Sequence, residues 1–263
     1  MTKLLHAPFQ EAATRPKSGG IQGLPRRQSA QSYFNGIAPR YETLAHDRNA
    51  GLAYLGAREL DFIRAQLRPR PGLNLLDVGS GTGRITAALV AHGAEVTCVD
   101  IATEMLSQNR VRNGTESVHY LCADASGGIP IASNSVDGAM CCRVLKYMAS
   151  WRYAIAEVAR VTRPGGTIVI EITTRVSCEA LSPPFKPMTY HLFDLREVES
   201  VLAANGITVV ARSMGTRFPF SLYGRVRTDA ALTRLLVIER ALDLVLPRGV
   251  LNRSIILAGR IDL

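Results

Sequence analysis

The chain has 263 residues, enough for one large α/β domain with additions and too few for two generous ones. Its 47% hydrophobic content can fill a core, yet no apolar run approaches the roughly 18 residues a spanning helix needs. The net charge of +9 is nearly all arginine, with lysine confined to Lys3, Lys17, Lys146 and Lys186, and the basic residues neither cluster nor interleave with aromatics, so nucleic acid is not an expected partner. Met1-Thr-Lys-Leu-Leu-His-Ala-Pro is too briefly apolar for a signal peptide. Cys98, Cys122, Cys141, Cys142 and Cys178 lack C-x-x-C spacing and read as small buried hydrophobes in a reducing cytoplasm. No cluster with metal-ligand spacing stands out.

In chain order, residues 1–30 hold Pro, Gly, Ser, Gln and Arg without periodicity and are expected to form a mobile arm. Tyr33, Phe34, Ile37 and Tyr41 then fall on one helical face. Their neutral reading is core packing, but a phenol offers an apolar ring with a polar tip, which favours a lid role for Tyr33 and Tyr41. A helix over Ala50–Leu67 ends at Arg68-Pro-Arg-Pro-Gly.

Leu73-Asn-Leu-Leu-Asp-Val-Gly-Ser-Gly-Thr-Gly-Arg84 reads as a buried parallel strand, a glycine turn at Gly79, Gly81 and Gly83, and a helix over 82–92. A ligand in the turn meets that helix's positive end. The pattern G-x-G-x-G is not the dinucleotide fingerprint G-x-G-x-x-G, and Asp77 before it would repel a pyrophosphate but attract an ammonium or sulfonium. Its plainer reading is a helix cap. A second strand ends at Asp100, about 20 residues beyond the turn, the offset of ribose-binding acids in such folds. Strands near 95–99, 117–121, 136–141 and 167–173 alternate with helices near 102–112 and 149–162, implying a parallel sheet covered on both faces. Residues 173–192 form a long irregular stretch of the kind that is usually functional. Asp194 caps a helix to Asn205-Gly206 with Glu197 completing a capping box. A strand from Ile207, an amphipathic helix from Thr228 or Asp229 to Leu246 with Leu232, Leu235, Leu236, Leu242 and Val245 inward, and a strand over 254–260 finish the chain.

D-x-G-x-G-x-G after an apolar strand resembles the class I S-adenosylmethionine (SAM)-dependent methyltransferases. Ala94-Glu-Val-Thr-Cys-Val-Asp100, Tyr120-Leu-Cys-Ala-Asp-Ala125, Ser135-Val-Asp-Gly-Ala-Met-Cys141 and Arg163-Pro-Gly-Gly-Thr-Ile-Val-Ile-Glu171 resemble that family's next four strand motifs, over residues 72–173. Gln31-Ser-Tyr-Phe-Asn-Gly-Ile-Ala-Pro-Arg-Tyr-Glu-Thr-Leu resembles the entry segment of its quinone-biosynthesis C-methyltransferases. The resemblance implies a doubly wound, seven-stranded, mostly parallel sheet with an antiparallel last strand (a Rossmann-like α/β fold). It implies one domain over 31–263: a helical lid to 70, a SAM-binding core over 71–173, and substrate-facing segments beyond. It assigns the ribose hydroxyls to Asp100 and the adenine amino group to Asp124. The rest of the implied cofactor cradle is Tyr33, Tyr41, Asp77, Gly79, Ser80, Gly81, Gly83, Ile101, Met105, Ala123, Ala125, Cys142 and Arg143.

Methyl transfer needs alignment and water exclusion, and a base only where the acceptor must lose a proton. Many relatives read Val-Leu-His-His after the fourth strand; here Val144-Leu-Lys-Tyr147 removes that histidine. Catalytic candidates are therefore Lys146, Tyr147 and, as first choice of general base, His191, which could equally be a surface histidine. Arg175, Lys186 and Tyr190 are the candidate substrate contacts. Arg143, Lys146, Arg175 and Lys186 against the single acid Glu179 suggest an anionic acceptor, or else a merely solvated rim. The expected activity is methylation of a small natural-product or quinone-like molecule; an RNA or protein methyltransferase and an idle SAM-fold scaffold stay open. So does oligomeric state, a homodimer included.

Overall fold

The computed structural model describes residues 29–42, 49–180, 190–247 and 250–262, so residues 1–28 of the expected arm and Lys186 lie outside the described residues, while Ser29 and Ala30, counted with the arm, cap and open a helix. The strands are β1 (Asn74–Val78), β2 (Glu95–Asp100), β3 (Val118–Cys122), β4 (Val136–Cys141), β5 (Thr162–Ile172), β6 (Ile207–Met214) and β7 (Ile255–Ile261). They form one seven-stranded sheet in the order β3-β2-β1-β4-β5-β7-β6. All neighbours are parallel except β5–β7 and β6–β7, which are antiparallel. The strand order reverses at β1, whose carboxyl end therefore opens into a crevice between diverging connections.

The helices are α1 (Ala30–Ile37), α2 (Ala50–Leu67), α3 (Arg84–Val90), α4 (Thr103–Asn113), α5 (Trp151–Val161), α6 (Leu195–Ala204), α7 (Phe220–Tyr223) and α8 (Asp229–Val245). Strand alternation explains why β1 carries apolar residues on both faces. Leu76 and Val78 join Ala139, Ile155, Val158 and Ile170 on the α5–α6 side. Leu75 joins Ile63, Leu89, Val96 and Cys98 on the α2–α3–α4 side. Trp151 meets Phe193 edge-on at 5.2 Å, closing the first core at its rim.

Several boundaries differ from expectation for local reasons. The helix after the glycine turn has only seven residues, Arg84–Val90, because Gly83 (φ 79°) enters it from the left-handed region. β5 starts at Thr162, so Arg163-Pro-Gly-Gly is an irregularity within the strand, where the β4 register shifts between Val136 and Gly138. Asp194 caps α6 by accepting from the Arg196 and Glu197 amides, while the Glu197 carboxylate turns to Arg152 instead of completing a box. On α8, Leu235 is buried, but Val245, expected inward, is 75% exposed because the helix runs past its support.

A third apolar cluster decides where the active site can be. Leu52 and Leu55 of α2 pack with Tyr223, Val226 and Leu235, joining α2 to α7 and α8. A Cβ on Gly51 would come within 2.2 Å of the Tyr223 carbonyl oxygen, so the two backbones touch only because that residue is glycine. This cap stands over the carboxyl edge of the sheet, beyond β4.

Candidate active site

A cavity of about 690 Å³ runs along the carboxyl ends of the strands, in the size range of small-molecule sites. Its floor is the turn after β1. Gly81 has φ +55°, and a Cβ added there would meet no protein atom within 4 Å, so this backbone faces the cavity directly. The Gly81 amide donates to Asp100 Oδ2 at 2.9 Å, and the Ala102 amide donates to Asp100 Oδ1 at 2.8 Å. Each carboxylate oxygen keeps a second lone pair, leaving the group fixed in direction yet able to accept hydroxyl protons. Burial raises the Asp100 pKa, and the backbone amides oppose that. At the β3 end Asp124 accepts from the Ser126 amide at 2.9 Å and lines the cavity between Ala123 and Ala125.

The roof over this half is α1 and the turn that follows it. Ala38 packs on Ala102 and Met105, with Phe34, Ile37 and Tyr41 around them. Gln31 donates to the Ile101 carbonyl at 3.0 Å, and Thr82 of the floor donates to Glu42 of the roof. Phe34 lies edge-on to Tyr33 and Tyr147 at 5.3 Å each and to Tyr41 at 6.3 Å. Burial pushes up the phenols of Tyr41 and Tyr147, so both stay protonated at neutral pH.

The other half is built from charge. Glu59 of α2, only 2% exposed, takes Arg143 Nε and Nη2 at 3.1 and 2.7 Å and also pairs with Arg84. Arg143 follows β4 at φ +61°. Glu171 on β5 lies 3.8 Å from Arg143 Nε and 3.5 Å from Arg253 Nη2; these cations hold its carboxyl down at about 2 despite burial. Lys146, Thr173, Glu179, Tyr190, Phe220 and Arg253 complete this wall. Burial lowers the Lys146 pKa, while Glu171 opposes the fall.

The lining thus brings together Tyr33, Tyr41, Gly79, Ser80, Gly81, Asp100, Ile101, Met105, Ala123, Asp124, Ala125, Cys142, Arg143, Lys146, Tyr147 and Tyr190. Four residues of the expected site stand elsewhere. Asp77 lies beneath the turn on the same sheet face as Asp100, accepting from Thr86 Oγ1 at 2.8 Å, and burial pushes its pKa up to about 7. Gly83 is pressed against α4: a Cβ there would come within 2.2 Å of Asn109 Oδ1. His191 is exposed, since its backbone rather than its ring meets the site, the amide donating to the Lys146 carbonyl at 2.7 Å. Arg175 is exposed too, its Nε 3.4 Å from the Leu192 carbonyl. Sequence reasoning missed Glu59 and Arg253. Glu59 had a signal: it is a charge on the buried stripe Leu52, Leu55, Gly56, Glu59, Ile63, Leu67 of α2. Arg253, in a short connection before β7, had none.

A family model described as a methyltransferase domain matches residues 76–170. The chain is 38% identical over 146 residues to a biotin biosynthesis bifunctional protein BioHC of Cellvibrio japonicus, covering 55% of this chain and 27% of that protein. It is 33% identical over 154 residues to a demethylmenaquinone methyltransferase of Clavibacter sepedonicus, covering 57% and 59%. It therefore spans less than two thirds of the length of either. A solved S-adenosylmethionine-dependent methyltransferase from Mesorhizobium loti shares the fold, with TM-score 0.61, 20% identity and 78% and 98% of the two chains covered. With the turn after β1, the acid ending β2 and the antiparallel β7 already in place, the chain carries a domain of the class I SAM-dependent methyltransferases.

Proposed function

We propose that the protein transfers a methyl group from SAM to a small-molecule acceptor of the quinone or natural-product kind, bound as an anion. One observation carries this reading: the Gly81–Asp100 cradle opens into a cavity that continues past β4 into a second, chemically different half. The cradle fits SAM, because Asp100 has lone pairs for vicinal hydroxyls, Asp124 offers an acceptor for an exocyclic amine, and Gly81 leaves the floor bare. Bound there, SAM supplies a methyl carbon activated by its sulfonium. Ser80, Ile101, Met105, Ala123, Ala125 and Cys142 shape the nucleoside half, and Tyr33, Phe34 and Tyr41 exclude water from above. Tyr147 stays a phenol and serves as a hydrogen-bond donor. Among the described residues the lining contains no histidine. The unpaired thiols of Cys98, Cys122, Cys141 and Cys142 fit a reducing cytoplasm.

The name of one relative, demethylmenaquinone methyltransferase, supports a quinone-like acceptor, and that of another, malonyl-[acyl-carrier protein] O-methyltransferase, supports a metabolic acyl group, there carried on a protein. Calorimetry with SAM and with S-adenosylhomocysteine (SAH) tests the first half of the reading. An acceptor screen scored by SAH release, with bulk RNA as one arm, tests the second. Absence of heat with both nucleosides overturns the reading in favour of an idle scaffold; turnover on RNA overturns the small-molecule assignment.

A further inference from the structure

The cavity crosses the sheet in strand order. Asp124 follows β3, Asp100 ends β2, Gly81 follows β1, Arg143 and Lys146 follow β4, Thr173 and Glu179 follow β5, and Arg253 precedes the antiparallel β7. At about 4.8 Å per strand the span from β3 to β7 is about 24 Å. A nucleoside held by Asp124, Asp100 and Gly81 uses the β3–β1 part. Lys146 and Arg253 lie beyond it, over β4–β7.

Charge in that far half does not close. Arg84 and Arg143 share Glu59, while Arg143 and Arg253 share Glu171. Glu179, one oxygen of which accepts from the Phe220 amide at 2.7 Å, is a third acid, against the four cations Arg84, Arg143, Arg253 and Lys146. Lys146 has no ion pair among the described residues; its ammonium stands 5.4 Å from the centre of the Tyr147 ring. Burying an incompletely compensated cation is unfavourable, and an ammonium that lines a cavity with no acid paired to it among the described residues is a natural seat for an anionic ligand.

Building on the methyltransferase reading, we propose that the acceptor carries a carboxylate, held by Lys146 with Arg253 beside it at the β4–β7 end of the cavity. Arg253 is already engaged by Glu171 and sets the far edge. Lys146 is the free donor, and its backbone is pinned by the His191 amide at 2.7 Å, which fixes where the side chain starts. The cap residue Phe220 supplies an apolar wall for the acceptor's body.

The test uses the full chain saturated with SAH and calorimetric titration with matched pairs: benzoate, 4-hydroxybenzoate and 1,4-dihydroxy-2-naphthoate, each against its carboxamide. At least one carboxylate is expected to bind about tenfold tighter than its amide, about 1.4 kcal/mol. Lys146→Met is expected to abolish that preference while leaving SAH affinity within about twofold, and Lys146→Arg to retain most of it. SAH affinity doubles as the check that the variants fold. The proposal is overturned if no carboxylate outbinds its amide, or if Lys146→Met keeps the preference. It is also overturned if Lys146→Met weakens SAH by a similar factor, which would give the ammonium to the donor's own carboxylate. Failure of the wild-type chain to bind SAH is a separate result and refutes the methyltransferase reading itself.

Discussion

Glu59 Oε1 and Oε2 receive Arg143 Nε and Nη2 at 3.1 and 2.7 Å, joining two residues 84 positions apart in the chain. The same carboxylate holds Arg84, so α2, the helix after the glycine turn and the loop after β4 are clamped by one buried acid. Removing one partner of such a cluster leaves uncompensated charge, typically about 3–5 kcal/mol. Glu59→Gln is expected to lower thermal stability by an amount in that range and to weaken SAH binding, because Arg84 and Arg143 flank the floor. Paired thermal melts and calorimetry check this; a variant with wild-type values for both would show the clamp to be ornamental.

The clamp also marks what a linear reading can reach. Strand, turn and acid from Leu75 to Asp100 were legible because their signals are local: an apolar run, glycines where φ is positive, and an offset fixed by one β-α-β unit. The apolar faces of the sheet followed from the same alternation. Glu59 and Arg253 act through partners 84 and 82 residues away, Arg143 and Glu171, and only the packed fold brings them together. His191 failed for a different reason. Its contact beside the site is made by the backbone amide, on the Lys146 carbonyl, and no sequence pattern says which way a ring then turns. Gly83 has the spacing of a ligand glycine, yet what demands it is the close approach of Asn109 and Asn113 on α4.

Asp77 makes stability depend on pH with a definite sign. Its pKa rises from the ordinary 3.8 to about 7 through burial, with the Thr86 hydroxyl opposing and Asp100 adding to the rise. The folded chain keeps this proton up to about pH 7, whereas the unfolded chain loses it near 3.8, so folding takes up a proton between those values. Stability is therefore lost as pH climbs from about 4 to about 7 and levels off above. At about 1.4 kcal/mol per pH unit the full penalty is on the order of 4 kcal/mol. Asp77→Asn keeps an acceptor for Thr86 and is expected to match wild type near pH 4 and exceed it progressively toward pH 8. Urea melts at four pH values decide it; parallel curves would mean that Asp77 is ionised throughout.

Gly81 tests the floor of the site without touching the core. Its Cβ position is open space, so Gly81→Val adds bulk only where a ligand would lie, at a backbone cost of about 1–3 kcal/mol for φ +55°. The variant is expected to fold by circular dichroism and to lose SAH binding beyond calorimetric detection. Retained nucleoside binding would remove Gly81 from the cofactor site.

The roof can be weakened without altering any charged group. Phe34 sits among Tyr33, Tyr41 and Tyr147, and such edge-on pairs contribute about 0.5–1.5 kcal/mol each beyond area burial. Because α1 is also tied down by the Gln31–Ile101 and Asn35–Glu104 hydrogen bonds, both 3.0 Å, loss of the ring should loosen the lid rather than detach it. Phe34→Ala is expected to speed SAH dissociation by about tenfold in stopped-flow displacement while the association rate changes little, since the encounter surface is unchanged. Equal changes in both rates would instead mean that Phe34 shapes the entrance and not the closed site.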